Sequence, residues 1–119
     1  MRSERTPRWT FAPVLAALLL QLGVLYAPSG GGAPPFAHFD KLVHCAVFAL
    51  PVFLALLVRL PFTPVVIALA AHAPVSEIVQ ATLLPKRAGD PWDVVADLVG
   101  VCLGVAAAHL GLRRAKRDR

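Results

Sequence analysis

Four long stretches of the chain are nearly free of Asp, Glu, Lys and Arg: residues 9–27, 42–58, 62–84 and 94–112. Each is 17 to 23 residues long, and an α-helix needs about 20 apolar residues to cross the hydrocarbon core of a bilayer. The pattern predicts an all-α protein, a four-helix transmembrane bundle filling residues 1–119 as a single domain. The other arrangement, a very apolar water-soluble bundle, would show polar faces at helical period, and these stretches do not. Three polar side chains interrupt the apolar runs: His44, Glu77 and Asp97. A charge at the centre of a spanning helix costs at least about 2.5 kcal/mol, so these positions mark where chemistry is to be sought.

Composition agrees with the pattern. The chain is 57% hydrophobic and 16% charged, where soluble domains are about half apolar and about a quarter charged. The net charge of +5 is spread unevenly. Arg2, Arg5, Arg8, Arg59, Arg113, Arg114, Lys116, Arg117 and Arg119 fall on one side of the predicted topology, while Lys41, Lys86 and Arg87 fall on the other. Nine against three places both termini in the cytoplasm and the protein in the cell membrane, crossing it several times. The C-terminal basic cluster suits contact with anionic lipid. It is short and has no aromatic partners, which argues against nucleic acid. The first stretch also has the basic start and apolar run of a secretory signal, but Ala27-Pro28-Ser29-Gly30 is a poor cleavage site.

Residues 28–39 are rich in Gly and Pro and read as an external loop. The links at 59–61 and 85–91 are short, so the second, third and fourth spans follow one another as tight antiparallel hairpins. Pro51 and Pro74 fall inside spans, where each removes a backbone N–H and frees a carbonyl. A neighbouring helix or a polar side chain must then satisfy that carbonyl. Cys45 and Cys102 read as small buried apolar residues, and no C-x-x-C spacing exists. There is no internal repeat and no cofactor motif.

Depth brings the polar residues together. His44 lies about one turn inside the second span, four residues after Asp40, and so shares its helix face. Glu77 lies seven residues, about 10 Å, below the outer end of the third span, with Gln80 on the same face nearer the surface. Asp93 and Asp97 share a face of the fourth span, Asp97 about 6 Å deep. Asp93, Asp97, Gly100, Gly104, Ala107 and Gly111 continue that face, and Gly100 to Gly104 is a G-x-x-x-G spacing that lets helices approach closely. The stripe is expected to face the bundle, with all these polar groups in the outer half of the membrane.

In order along the chain stand Asp40-Lys41-Leu42-Val43-His44 with Phe48, Ser76-Glu77-Ile78-Val79-Gln80, Arg87, and Asp93-Val94-Val95-Ala96-Asp97-Leu98-Val99-Gly100 with Gly104. This series, covering over half the chain, resembles the VanZ-like membrane proteins. Asp97 stands where many members carry Asn. The resemblance implies a small multi-span protein of the bacterial cell envelope, in a family whose founding member is linked to low-level teicoplanin resistance. It does not supply a reaction.

Three kinds of function fit these residues. The first is a site for a lipid-linked or cell-wall ligand. There Glu77 acts as general acid or base, His44 shuttles protons or orients a phosphate, Asp97 completes the catalytic set, and Arg87 with Lys41 holds an anionic head group. Asp40, Gln80 and Asp93 complete the ligand-binding set. His44, Glu77, Asp93 and Asp97 are competent metal ligands, but no helical H-x-x-x-H or H-E-x-x-H pair exists, so no metal is expected. The second is a proton-coupled carrier. The third is a non-catalytic membrane protein in which His44 bonds Asp40 or a carbonyl, Glu77 pairs with Arg87 or His44, Asp97 bonds a neighbouring span and Arg87 snorkels outward. His72 and His109 are expected to be packing residues, and His38 a solvated loop residue.

Overall fold

The computed structural model describes residues 8–28, 32–84 and 89–119, with side chains from residue 10 onward. Four α-helices form the described chain: α1 (Ala12–Tyr26), α2 (Phe39–Leu57), α3 (Phe62–Leu83) and α4 (Pro91–Arg117), with a 3₁₀ turn, Arg8–Phe11, leading into α1. The described residues contain no strand. Helices α2, α3 and α4 are each long and apolar enough to cross a membrane. Helix α1 has 15 residues, about 22 Å of rise. The 3₁₀ turn extends that rod by about 8 Å, to about the thickness of a hydrocarbon core.

The surface and the interior are inverted relative to a water-soluble bundle. Leu19 on α1, Ile78 and Leu83 on α3, and Leu103 on α4 are all more than half exposed. Gln21, His44, Ser76, Glu77, Gln80, Asp93 and Asp97 are buried. Water would penalise both halves of that arrangement; lipid around the bundle favours both. Cys45 is half-buried, and Cys102 faces outward rather than into the core.

Chain neighbours are not the closest partners. The most extensive contact joins α2 to α4. Lys41 meets Asp93, His44 meets Asp97 and Leu57 meets Gly111, so the two helices run parallel with α3 returning between them in sequence. Their backbones touch. A Cβ built on Gly100 would stand 2.2 Å from the Cys45 carbonyl oxygen, and one on Gly104 would stand 2.5 Å from that of Ala49. Only glycine fits at either place. The expected stripe on α4 is buried at Asp93, Asp97, Gly100 and Gly104, but Ala107 is exposed and Ala108 takes its place inside. Val101 is buried as well, so the buried face centres on the side of Asp97, Gly104 and Ala108, and Ala107 falls on the opposite flank, about 70° from that centre.

Pro51 and Pro74 both lie within continuous helices. Pro51 has no N–H for the carbonyl four residues earlier, that of Val47. Gln21 on α1 supplies the missing donor, its Nε2 lying 3.0 Å from the Val47 oxygen. Gln80 on α3 does the same for the end of α1, donating to the Leu25 carbonyl at 2.7 Å. Two side-chain amides therefore fasten α1, through backbone groups that helix geometry leaves open.

Two outcomes follow. Gly100→Ala and Gly104→Ala should each lower stability by about 1–3 kcal/mol, the usual range for overpacking. Gly111→Ala, whose Cβ would meet only Leu57 Cδ2 at 3.6 Å, should be neutral or stabilising. Thermal unfolding in detergent reads both, and equal losses at all three sites would contradict the backbone contact. Gln21→Leu should cost about 1 kcal/mol or more by leaving the Val47 carbonyl buried without a donor. Adding Pro51→Ala restores a backbone N–H there and should recover part of the loss. A double-mutant cycle with no coupling would refute the pairing.

Candidate functional site

The first turns of α2 and α4 and the last turns of α3 build one polar cluster. Asp90 organises it. As the N-cap of α4 its side chain accepts from the Trp92 N–H at 3.0 Å, ahead of Pro91, a residue suited to the first helical position. Its own N–H donates to Glu77 Oε1. Gly89 permits that contact, because a Cβ there would come within 2.7 Å of Ala81 Cβ and 3.5 Å of Glu77 Oε1. The second oxygen of Asp90 lies 2.6 Å from Lys41 Nζ.

Lys41 is fully engaged. Its Nζ also lies 2.7 Å from Asp40 Oδ2 and 2.7 Å from Asp93 Oδ1. Oxygens of Asp40, Asp90 and Asp93 all lie within 4.8 Å of one another, a spacing that a cation could bridge; the ammonium group holds that position itself. The Lys41 ammonium, aided by the Trp92 N–H, keeps the Asp90 carboxyl below the usual carboxylate range. Five carboxyl groups (Asp40, Glu77, Asp90, Asp93 and Asp97) thus converge with one lysine and one histidine.

His44 sits deeper. Its Nδ1–H donates to Asp97 Oδ1 at 2.8 Å, and its Nε2 lies 3.6 Å from Asp93 Oδ2. The second distance is too long for a direct hydrogen bond, so Nε2 is the nitrogen able to exchange a proton with a ligand. Asp97 is completely buried and His44 is 6% exposed. Asp97 fixes the ring and its tautomer, the arrangement by which a carboxylate prepares an imidazole for acid–base work. Glu77 Oε2 and Asp97 Oδ2 are buried and have no hydrogen-bond partner among the described residues.

The structure therefore brings His44, Asp97, Asp93, Lys41 and Asp40 into one chain of contacts and joins Glu77 to it through Asp90. His44 bonds Asp97 on α4 rather than Asp40 on its own helix. Gln80 turns away, to α1. Arg87 lies outside the described residues. Asp90 was missed in the sequence, although an Asp-Pro pair before an apolar helical run is a legible N-cap signal. A second network was missed as well. Because Gln21 Nε2 is committed to Val47, its Oε1 accepts from His72 Nδ1–H at 3.0 Å, and His72 Nε2 accepts from the Tyr26 hydroxyl at 2.7 Å. His72 is thus a satisfied neutral link between α1 and α3, more than a packing residue. The signal for it was Pro51, whose freed carbonyl required a donor.

Compared with known proteins, the chain matches no family model, no curated protein and no solved structure.

Lys41→Met should leave three carboxylates facing one another and lower the melting temperature in detergent at neutral pH. That deficit should shrink as the pH falls and the acids take up protons. In the unaltered protein the trend for Asp90 is the reverse. Its folded-state value is depressed, so its contribution is complete above the unfolded value of about 4. The contribution is lost as the pH falls through the lower folded value. Equal stability of Lys41→Met and the unaltered protein at pH 7 would contradict the role given to Lys41.

Proposed function

We propose that the chain is a multi-pass protein of the bacterial cell membrane, with both termini cytoplasmic. In this reading the cluster around His44, Asp97 and Glu77 lies near the outer face and binds a lipid-linked or cell-wall ligand, on which it moves a proton. The observation that carries the reading is the His44–Asp97 pair, buried in an apolar bundle, with Nε2 left without a direct hydrogen bond 3.6 Å from Asp93 Oδ2. A bundle needing only a structural tie would gain as much from a neutral hydrogen bond, without the cost of buried ionisable groups. The two carboxylate oxygens without described partners, on Glu77 and Asp97, support a site that accepts a donor from a ligand. The Lys and Arg asymmetry supports the orientation.

The ligand chemistry that suits the site differs from the first expectation. Lys41 is held by three aspartates and could grip a phosphate only by leaving them. The acid-rich surroundings favour the hydroxyl and amino groups of a sugar or peptide head group as the part that enters. The motif series resembling the VanZ-like proteins extends the reading to teicoplanin response. A proton carrier is less well supported, because beyond His72 the described core toward the opposite end is apolar, formed by Val52, Ala55, Leu56, Leu69 and Ala108.

Glu77→Gln tests the reading. The glutamine keeps an acceptor for the Asp90 N–H but cannot titrate. We expect folding and melting temperature close to the unaltered protein, with the effect on teicoplanin susceptibility abolished in cells expressing it. His44→Gln should behave likewise. Asp97→Asn, which retains an oxygen for His44 Nδ1–H, should be mildest. Reporter fusions at Gly31 and after Arg119 in the same cells should read outside and inside. Unaltered behaviour of Glu77→Gln in both assays would end the active-site reading, and loss of stability in step with loss of function would favour a structural role.

A further inference from the structure

The opposite end of the bundle carries a second constructed feature. Helix α2 ends in a Schellman arrangement: the Leu60 N–H donates to the Ala55 carbonyl at 3.0 Å and the Arg59 N–H to that of Leu56 at 3.1 Å. The residue at the left-handed position of this motif is normally glycine. Here it is Arg59, with φ of 65°. A glycine would close the helix at lower cost, so the side chain is retained against backbone strain, and such strain points toward a role for the side chain.

That side chain lines a cleft of about 510 Å³ with His109, Arg113, Lys116 and Arg119 of the α4 end. On α4, His109, Arg113 and Lys116 are spaced four and three residues apart and so share one face. Among the described residues no acidic group pairs with any of these side chains, and every ion pair lies in the cluster at the other end. Basic residues at a helix C-terminus suit its macrodipole, which accounts for the charge of Arg59, Arg113 and Lys116 alike, but not for a non-glycine residue held left-handed at the end of α2. A groove of about 450 Å³ continues from the cleft, sharing Arg59, His109 and Leu112, and is lined further by Leu56, Phe62, Val105 and Ala108. Cationic cleft and apolar groove thus form one two-part surface, polar at the chain end of α4 and apolar toward the middle of the bundle.

We propose that this surface binds one anionic phospholipid. Its phosphate lies between Arg59 and the His109–Arg113–Lys116 face, and one acyl chain runs along the groove between α2, the start of α3 and α4. Charge complementarity selects the anionic head group, and the continuous apolar groove selects a lipid over a soluble phosphate. The site is separate from the acidic cluster and does not depend on the activity proposed for that cluster.

Arg59→Gly gives a clean test, because glycine removes the cation while relieving the left-handed strain. In purified full-length protein in detergent, short-chain phosphatidylglycerol should raise the melting temperature and phosphatidylcholine should not. Arg59→Gly alone should melt at or above the unaltered protein, yet bind phosphatidylglycerol about fivefold more weakly, the effect of one interfacial cation. Arg59→Gly with Lys116→Gln should lose about twenty-five-fold. Binding should weaken with added salt. Equal stabilisation by both lipids, or unchanged phosphatidylglycerol affinity in Arg59→Gly, would overturn the proposal. So would competition by inorganic phosphate or glycerophosphoglycerol at the lipid's own concentration, since the site would then recognise a soluble anion.

Discussion

The backbone contact between α2 and α4 governs the arrangement of everything polar in this molecule. Gly100 and Gly104 let α4 lie against the carbonyls of Cys45 and Ala49. In lipid there is little hydrophobic drive between helices, so close van der Waals approach of this kind is a main source of association. The contact also sets register. Next to Cys45 and about one turn before Gly100, the same two helices present His44 and Asp97, and about one turn further on Lys41 and Asp93. A bulkier residue at Gly100 would both loosen the pair and separate the imidazole from its carboxylate. Packing and chemistry are therefore coupled along one seam.

Helix α1 is attached on different terms. It shares a smaller contact with the rest, and hydrogen bonds do much of the fastening. Gln21 serves the carbonyl freed by Pro51, Gln80 serves the last turn of α1, and His72 bridges Gln21 and Tyr26. Each bond closes a backbone or side-chain group that lipid cannot satisfy. A proline that would weaken a lone helix becomes a point of attachment for its neighbour. An apolar groove lined by α1, α2 and α3 reaches Gln21 and His72, consistent with this sparse mode of attachment.

How much of this was legible depended on whether the signal was local. Four charge-poor stretches are a property of the chain itself, and they gave the helical class directly. The α4 face was legible from spacing through Asp93, Asp97, Gly100 and Gly104, and it slipped at Ala107 because spacing alone places Ala107 and Ala108 about equally far from that stripe, while the buried Val101 draws the packed face toward Ala108. His44 and Asp97 could be placed at similar depth, yet depth alone does not select a partner. Asp40, four residues from His44 on the same helix, was the nearer candidate in sequence. Parallel pairing of α2 with α4, skipping α3, decided the matter. Gln80 was drawn to Glu77 by a shared helical face, but a glutamine three residues away is on the flank of that face, and the open carbonyl of Leu25 claimed it. Arg87 remains a sequence expectation, since it falls among residues 85–88, outside those described.

The two ends of α4 explain why one helix can serve two opposite environments. Its N-terminal end gathers carboxylates, where Asp90 and Asp93 also meet the positive end of the helix dipole. Its C-terminal end gathers Arg113, Lys116 and Arg119, beside the strained Arg59 of the α2–α3 link. Between them the helix is apolar and small-residued, free to seat against α2. Asymmetry of this kind orients a bundle in a membrane: an acid-rich end is poorly matched to an anionic lipid surface, while a basic end is attracted to it. The same distribution that separates the two candidate sites chemically also supports the proposed orientation, with the basic end turned to the anionic lipid surface.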